Sequence, residues 1–231
     1  MGVWSESGQI CLSVNGSTVA EVLRVMDQHG HDADLVEIRL DLLDEPAIEP
    51  FIDAMASPLL FTNRPEWEGG AWRGAEEERV ALLVEAIELG ATYVDIEFKA
   101  PSDSFDKISS AAKRTGCKTI LSWHNFKQTP PEEELVALVQ QMAKSGADLG
   151  KIVTTAHDYA DVLRVLSLQL VAQDLHFPLA CFAMGKPGQV SRAATLHLGG
   201  LLTYGAADAK SCTAPGQLTV AQLRRVQEVL G

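Results

Sequence analysis

Basic residues are scarce in this 231-residue chain: 19 lysines and arginines stand against 31 aspartates and glutamates, for a formal net charge of −12. A surface of this sign lacks the basic footprint that nucleic acids and anionic membranes require, so we expect neither as a partner. No apolar run reaches the ~18 residues of a membrane-spanning helix. The first nine residues hold no basic residue ahead of an apolar stretch, which argues against a signal peptide.

Cysteine is sparse as well, and a linker is missing. The cysteines form no CxxC pair, so we expect no disulfide framework, no metal site and a reducing, cytoplasmic location. Free cysteines are usually buried, which favours packing over chemistry. No segment rich in Pro, Gly or Ser divides the chain, and we predict one domain over residues 1–231. The four cysteines are Cys11, Cys117, Cys181 and Cys212.

What the chain does have is a regular alternation of strand-like and helix-like segments. Two of the helical segments, Glu77–Leu89 and Glu132–Lys144, carry one apolar stripe at helical spacing. The strand-like segments are short apolar runs whose starts lie about 22 to 34 residues apart. The eight predicted strands are Ile10–Val14, Leu35–Leu40, Leu59–Thr62, Tyr93–Phe98, Lys118–His124, Leu149–Thr154, Leu179–Met184 and Leu201–Tyr204.

Eight such units predict a closed (β/α)8 barrel of parallel strands. The alternative is an open doubly wound sheet, which would place a glycine-rich phosphate loop after its first strand. Residues 14–17 read Val-Asn-Gly-Ser and do not form one. Helix starts are marked by capping boxes beginning at Thr18, Thr129 and Thr219. Helix ends are marked by glycines that suit a left-handed backbone, namely Gly90, Gly116 and Gly146.

Barrel enzymes carry their chemistry at the carboxyl ends of the strands, so polar residues there are candidates. The second strand ends with Glu37, Arg39 and Asp41, which alternation places on one face. They form either a structural ion-pair cluster or a ligand site. The third strand is followed by Arg64, Glu68 and two glycines, a pattern that alone is more typical of a solvated loop.

Two further residues have types suited to catalysis. Lys151 lies within an apolar strand, where burial and nearby cations favour a neutral amine that can form a Schiff base with a ketone. Its alternatives are to reach solvent or to pair with Glu37. His124 ends an apolar strand and is suited to proton transfer at neutral pH, although a lone histidine is more often structural. Residues 184–192 and 210–217 are predicted as small-residue loops, either ordinary turns or segments that close over a ligand.

Taken in order, these segments resemble the type I 3-dehydroquinate dehydratase family over nearly the whole chain. The resemblance implies a (β/α)8 enzyme, commonly dimeric, that converts 3-dehydroquinate to 3-dehydroshikimate and water in the shikimate pathway, without metal or cofactor. The segments that carry it are Glu37-Ile38-Arg39-Leu40-Asp41, Arg64 with Glu68-Gly69-Gly70, Ser122-Trp123-His124-Asn125-Phe126, Lys151-Ile152, Met184-Gly185 with Ser191-Arg192, and Thr213-Ala214-Pro215-Gly216-Gln217.

The resemblance also implies residue roles. Lys151 matches the Schiff-base lysine, His124 the general acid/base, and Glu68 the carboxylate that supports the histidine. Thr213 stands where the family usually has Ser, and Asn125 where Asp is frequent. The positions implied to bind substrate are Glu37, Arg39, Arg64, Met184, Arg192, Thr213 and Gln217, with Arg192 and Gln217 as the clamp for a carboxylate.

Two other functions stay open at this point. One is another Schiff-base barrel enzyme, such as an aldolase acting on sugar phosphates, which would need a phosphate cradle after the last two strands. The other is a ligand-sensing relative without catalysis, which would be expected to lose the lysine or the histidine. For an anionic ligand, we expect a local cationic site formed by Arg39, Arg64, Lys151 and Arg192 inside an acidic surface.

Overall fold

The computed structural model describes residues 8–54, 56–211 and 216–230 and contains eight parallel strands. Each strand begins and ends within one residue of its predicted bounds. Thr213 and Cys212, which the sequence singled out, lie outside the described residues. The strands are β1 Gln9–Val14, β2 Leu35–Arg39, β3 Leu59–Thr62, β4 Tyr93–Glu97, β5 Lys118–His124, β6 Leu149–Thr155, β7 Leu179–Met184 and β8 Leu202–Gly205.

A helix follows every strand, although the connection after β2 is only a five-residue helix. No helix in the described part of the chain has the length and apolarity needed to cross a lipid bilayer. The helices are α1 Val19–His29, α2 Glu49–Asp53, α3 Glu76–Glu88, α4 Ser102–Thr115, α5 Glu132–Lys144, α6 Tyr159–Asp174, α7 Gly185–His197 and α8 Val220–Leu230.

The strands run around the molecule in chain order, and β8 returns to pair with β1. At the remaining seam between β7 and β8, the N–H of Leu201 donates to the carbonyl of Leu179 at 3.1 Å, an ordinary hydrogen-bond distance. The sheet is therefore a nearly closed barrel, and the predicted (β/α)8 fold is confirmed. The open doubly wound alternative is wrong, because the first strand pairs with the last.

Alternation along the strands produces two apolar cores. One core lies between the barrel and its helices and includes Leu12 and Ile38, while the other fills the barrel interior with side chains such as Leu35, Leu60 and Leu149. On β1 to β6 the interior side chain two residues further along is polar, whereas on β7 and β8 it is the aromatic ring of Phe182 or Tyr204. Because the strands of a barrel are tilted, interior side chains of neighbouring strands form layers, and these polar side chains meet above the apolar floor.

The helix boundaries follow the predicted chemistry at two of three capping boxes. Gln222 and Thr219 exchange reciprocal hydrogen bonds, and Thr18 accepts from the N–H of Glu21. The box at Thr129 is wrong, because α5 begins only at Glu132. Two successive prolines hold the preceding backbone extended, and the Thr129 hydroxyl bonds to β6 instead, at the hydroxyl of Thr154 and the carbonyl of Thr155.

The three glycines predicted at helix ends adopt a left-handed backbone. Their φ angles are +106°, +83° and +86° at Gly90, Gly116 and Gly146. A Cβ would be strained at each of them, so these positions fix where each helix stops. Among the described cysteines, Cys11, Cys117 and Cys181 are all buried, as the packing interpretation expects.

Candidate active site

A cavity opens at the carboxyl ends of the strands. It brings together side chains from distant parts of the sequence, from Ser13 to Gln217, and the roles implied for them stay predictions. Among the described residues, no group of three or more His, Cys, Asp or Glu side chains is arranged to hold a metal ion. The predicted site residues that line the cavity are Glu37, Arg39, Arg64, Glu68, His124, Lys151, Met184, Arg192 and Gln217.

Lys151 lies inside the barrel on β6 and is only 5% exposed. Its Nζ is 3.1 Å from Oδ2 of Asp95, 3.9 Å from Oε1 of Glu37 and 4.0 Å from the centroid of the Tyr204 ring. The alternative in which this lysine reaches solvent is therefore wrong. Pairing with Glu37 is secondary to the closer contact with Asp95.

A buried chain of alternating charges continues from Lys151. Arg64 donates to Asp95 at 2.8 Å and to Glu97 at 2.6 Å, and Arg79 lies 2.6 Å from the other oxygen of Glu97. Burial opposes ionisation of Asp95, but Arg64 and Lys151 outweigh it and hold the pKa of that carboxyl well below its usual range. At Glu97 burial prevails over both arginines and raises the pKa. Asp95 is therefore ionised at neutral pH, beside the lysine.

The same contacts correct the expectation of a local cationic site. Arg64 is fully engaged with buried carboxylates, and Lys151 is paired with Asp95. Arg39 is likewise bound to Asp41 through two hydrogen bonds of 2.8 and 2.6 Å. The site is a network of both charges, because an unpaired buried cation would cost far more free energy than a paired one.

Asp41 does not share a strand face with Glu37, so that part of the prediction is wrong. Its carboxylate has a structural role instead. β2 ends at Arg39, and residues 40–42 form a 3₁₀ turn that breaks the alternation on which the prediction depended. The Asp41 carboxylate accepts hydrogen bonds from the backbone N–H groups of Arg64 and Ala71 at 3.1 and 3.0 Å. It thereby joins the second strand to the loop that follows the third.

His124 and Glu68 form a hydrogen-bonded pair. Nδ1 of His124 lies 3.0 Å from Oε1 of Glu68, and the backbone N–H of His124 donates to the same oxygen at 2.9 Å. Burial raises the pKa of Glu68 to about 8, although Arg64 opposes this shift. Burial also lowers the pKa of His124 well below its ordinary value, and the cations Arg64 and Lys151 add to the effect. The imidazole is therefore held neutral, with Nε2 as the ring nitrogen that Glu68 does not engage.

The segment with two glycines after β3 was interpreted as a solvated loop, and for the two site residues that it carries this interpretation is wrong. Arg64 and Glu68 are buried. A Cβ on Gly70 would lie 2.0 Å from the carbonyl oxygen of Arg64, and a Cβ on Gly69 would lie 2.2 Å from Cζ of Phe126. The glycines therefore allow the chain to fold tightly against the site, rather than giving it freedom.

We predict that Gly70→Ala lowers the free energy of unfolding by about 1–3 kcal/mol, the cost of overpacking a tight site. The matched control is Gly30→Ala, since Gly30 has a helical backbone and a Cβ there would meet only Val36, at 3.7 Å. Urea denaturation of both variants measures the difference. Equal stability of the two variants would contradict the steric explanation.

Asn125, at the position where the resemblance implies that Asp is frequent, caps the turn after β5. Its Oδ1 accepts hydrogen bonds from the N–H groups of Lys127 and Gln128 at 2.9 and 3.1 Å. An aspartate oxygen would accept the same two bonds, so the change preserves the turn. The turn presents the ring of Phe126 parallel to His124, with 6.0 Å between ring centroids and 16° between ring planes.

The prediction of a loop over residues 184–192 is wrong, since α7 begins directly after β7 at Gly185. Pro187 lies in the first turn, where its missing N–H costs nothing. Gly188 packs so close to β7 that a Cβ would lie 2.5 Å from the carbonyl oxygen of Ala183. The helix carries Arg192 to the cavity, where it is 2% exposed. Most of the other predicted loop lies outside the described residues.

Several residues of the site were not anticipated from the sequence. Asp95 and Glu97 alternate along β4 in the same way as Glu37 and Arg39 along β2, so period-two alternation in the fourth strand was the signal that could have found them. The hydroxyl-bearing and aromatic residues of the cavity gave no such signal in the sequence, because Ser, Thr, Phe and Tyr are ordinary in buried strands. These further cavity residues are Ser13 and Thr62, which donate to Glu37, and Phe182 and Tyr204.

Comparisons with known proteins agree with this geometry. A family model described as type I 3-dehydroquinase matches residues 10–231. The 3-dehydroquinate dehydratase of Desulfotalea psychrophila is 40% identical over 220 residues, which cover 95% of this chain and 97% of that protein.

Solved structures show the same relationship. The type I 3-dehydroquinate dehydratase of Clostridium difficile superposes with a TM-score of 0.90 at 26% identity, covering 100% of this chain and 94% of that one. The 3-dehydroquinate dehydratase of Geobacillus kaustophilus superposes with a TM-score of 0.85 at 27% identity, covering 97% and 91%. With sequence and fold matched over almost their full length, the chain belongs to the type I 3-dehydroquinase family of hydro-lyases.

Proposed function

We propose that this enzyme dehydrates 3-dehydroquinate to 3-dehydroshikimate through a Schiff base on Lys151, with His124 as the general acid and base. The observation that carries the proposal is that a buried lysine amine and a histidine paired with Glu68 line one cavity at the barrel mouth. The Clostridium difficile relative was solved with covalent modified comenic acid, which supports a covalent route.

The proposed steps conserve atoms and charge. The Lys151 ammonium gives up one proton, and its neutral amine adds to the ring ketone. That proton is returned to the carbinol hydroxyl, which leaves as water, so the ammonium and the ketone together give a protonated imine. That positive charge acidifies the adjacent carbon, and His124 removes its proton to give an enamine. The enamine expels the neighbouring hydroxyl, which His124 protonates so that it leaves as water. A second water hydrolyses the conjugated imine, which releases the product and restores the lysine.

The surrounding side chains bind and orient the substrate in this proposal. Arg192 binds the carboxylate together with Gln217, because a guanidinium matches a carboxylate with two parallel hydrogen bonds. Arg39 and Arg64 remain bound to their carboxylate partners. Their main effect is therefore to fix the shape of the site and its electrostatic field. The remaining proposed contacts to substrate are Glu37, Met184 and Thr213.

The direct test is a spectrophotometric assay for 3-dehydroshikimate, followed by borohydride reduction during turnover and intact-mass measurement. We expect turnover that EDTA does not change, and one covalent adduct that peptide mapping places on Lys151. Turnover without an adduct would contradict the Schiff base. Activity on sugar phosphates but not on 3-dehydroquinate would favour an aldolase, and ligand binding with no turnover would favour a sensing protein.

The hydrogen-bonded pair of Glu68 and His124 predicts that kcat/KM depends on pH. The imidazole can act as a base at Nε2 only when the Glu68 carboxylate is ionised and accepts the proton on Nδ1. Because burial raises the pKa of Glu68 to about 8, the ionised form is lost as the pH falls through that value. We expect kcat/KM to fall about tenfold per pH unit below about pH 8.

The control for that profile is a matched pair of variants on the same turn. Glu68→Gln cannot ionise, so the dependence near pH 8 is expected to disappear. Glu66→Gln alters an exposed carboxylate that pairs with Arg73, and the profile is expected to stay as in the wild type. An unchanged profile in Glu68→Gln would assign the titration to another group.

A homodimer and a cytoplasmic location stay part of the proposal. The first rests on the family resemblance and the second on the absence of CxxC pairs in the sequence. Sedimentation equilibrium would measure the first, and cell fractionation the second.

A further inference from the structure

Two aromatic rings inside the barrel each lie against a cation of the site. Nζ of Lys151 is 4.0 Å from the centroid of the Tyr204 ring, and Cζ of Arg192 is 4.9 Å from that of Phe182. The two ring centroids are 6.1 Å apart, with the planes tilted by 49°. All four side chains are at least 95% buried, so both contacts are shielded from water.

The ring of Tyr204, rather than its hydroxyl, makes the contact with the lysine. Burial raises the pKa of Tyr204 well above its ordinary value, and Glu37 and Cys11 add to the shift, so the phenol stays neutral. Its hydroxyl has no hydrogen-bond partner among the described residues. The negative face of a neutral ring attracts a cation, and the attraction strengthens when both are out of water.

We propose that Tyr204 and Phe182 are positioning residues that set the spacing between the lysine nitrogen and the Arg192 guanidinium. This inference rests on the proposed function, in which those two groups bind the ketone carbon and the carboxylate of one substrate. An ammonium and a ketone give an iminium and water, so the lysine nitrogen carries the same positive charge before and after the bond forms. The ring contact therefore persists through the covalent step, and the ring pair selects ligands by the distance between ketone and carboxylate.

The test replaces each ring separately and measures three quantities: kcat, KM and the rate at which acetic anhydride acetylates Lys151, read by peptide mass spectrometry. Tyr204→Leu is expected to lower kcat about 5- to 30-fold with KM nearly unchanged, the range of one desolvated cation–π contact. Acetylation is expected to become faster, because the ammonium has lost a partner that stabilises it. Phe182→Leu is expected to raise KM by a similar factor and to leave acetylation as in the wild type.

The conservative variant Tyr204→Phe keeps the ring and is expected to behave as the wild type in all three measurements. If it is as impaired as Tyr204→Leu, the hydroxyl is what matters and the proposal fails. It also fails if the two leucine variants change kcat and KM in the same way. Circular dichroism confirms folding, and Tyr204→Met, whose longer and more flexible side chain adapts to the space of the ring, replaces Tyr204→Leu if that variant does not fold.

Acetylation needs no substrate, so it separates the two proposals. Unchanged acetylation in Tyr204→Leu overturns the ring contact even if turnover falls. A wild-type protein that does not turn over 3-dehydroquinate counts against the proposed function, while faster acetylation in Tyr204→Leu would still support the ring contact.

Discussion

Replacing Lys151 with alanine is expected to lower turnover by on the order of 10⁴–10⁶-fold, because the proposed covalent route would be lost with its proposed nucleophile. No other lysine can take its place. Among the residues that line the described cavity, Lys151 is the one that carries a primary amine. Borohydride treatment with 3-dehydroquinate should then leave the intact mass of the variant unchanged.

The alanine variant also removes the cation beside Asp95, so a loss of activity needs a folding control. Lys151→Met keeps most of the side-chain volume without the amine, and it should be as inactive as the alanine variant. Lys118→Ala removes a half-exposed lysine on a neighbouring strand, where the side chain pairs with Asp148, and it should keep full activity. Substantial turnover by a folded Lys151→Met protein would overturn the Schiff-base mechanism.

The second large effect is expected at His124. His124→Ala should lower kcat by about 10²–10⁴-fold, the scale of a positioned acid and base. The loss falls on the elimination steps, since the lysine remains able to add to the ketone. Borohydride should therefore still trap the substrate as an adduct on Lys151, although more slowly if the histidine also moves protons during imine formation.

A trapped adduct with little turnover separates a proton-transfer role from a structural one. The control is His31→Ala, which removes an imidazole that is 71% exposed and paired with Asp32. It should match the wild type in both rate and trapping. If His124→Ala keeps more than about a tenth of the wild-type rate, another group is the acid and base.

The fold was predictable because its signals are local. Each strand is a short apolar run, and the left-handed glycines at positions 90, 116 and 146 end the preceding helices wherever they occur. The errors are local as well and have physical causes. At Thr129 two prolines outweigh a capping pattern, and after β7 the sequence Gly-Lys-Pro-Gly has the composition of a turn but fits the first turn of a helix.

The site was predictable only in part, because its charge pairs form between side chains on strands that are far apart in the sequence. Sequence position marks Lys151 as costly to bury, but it does not show that Asp95 lies between this lysine and Arg64. The partner of a buried charge depends on strand register, which the barrel fixes only after it closes. The same holds for Tyr204, whose ring lies against the lysine only because β8 pairs with β1 and the sheet curves back on itself.

The seam between β7 and β8 has a consequence for motion. Backbone hydrogen-bond ladders join all neighbouring strands except β7 and β8. Along most of the seam, side-chain contacts take the place of a ladder, including the contact of Phe182 with Tyr204. Strand amides without a ladder partner are the first to exchange with solvent when a sheet opens locally. Hydrogen exchange should therefore begin along this seam. Because α7 connects β7 to β8 and carries Arg192, local opening of the seam would change the distance between Arg192 and Lys151.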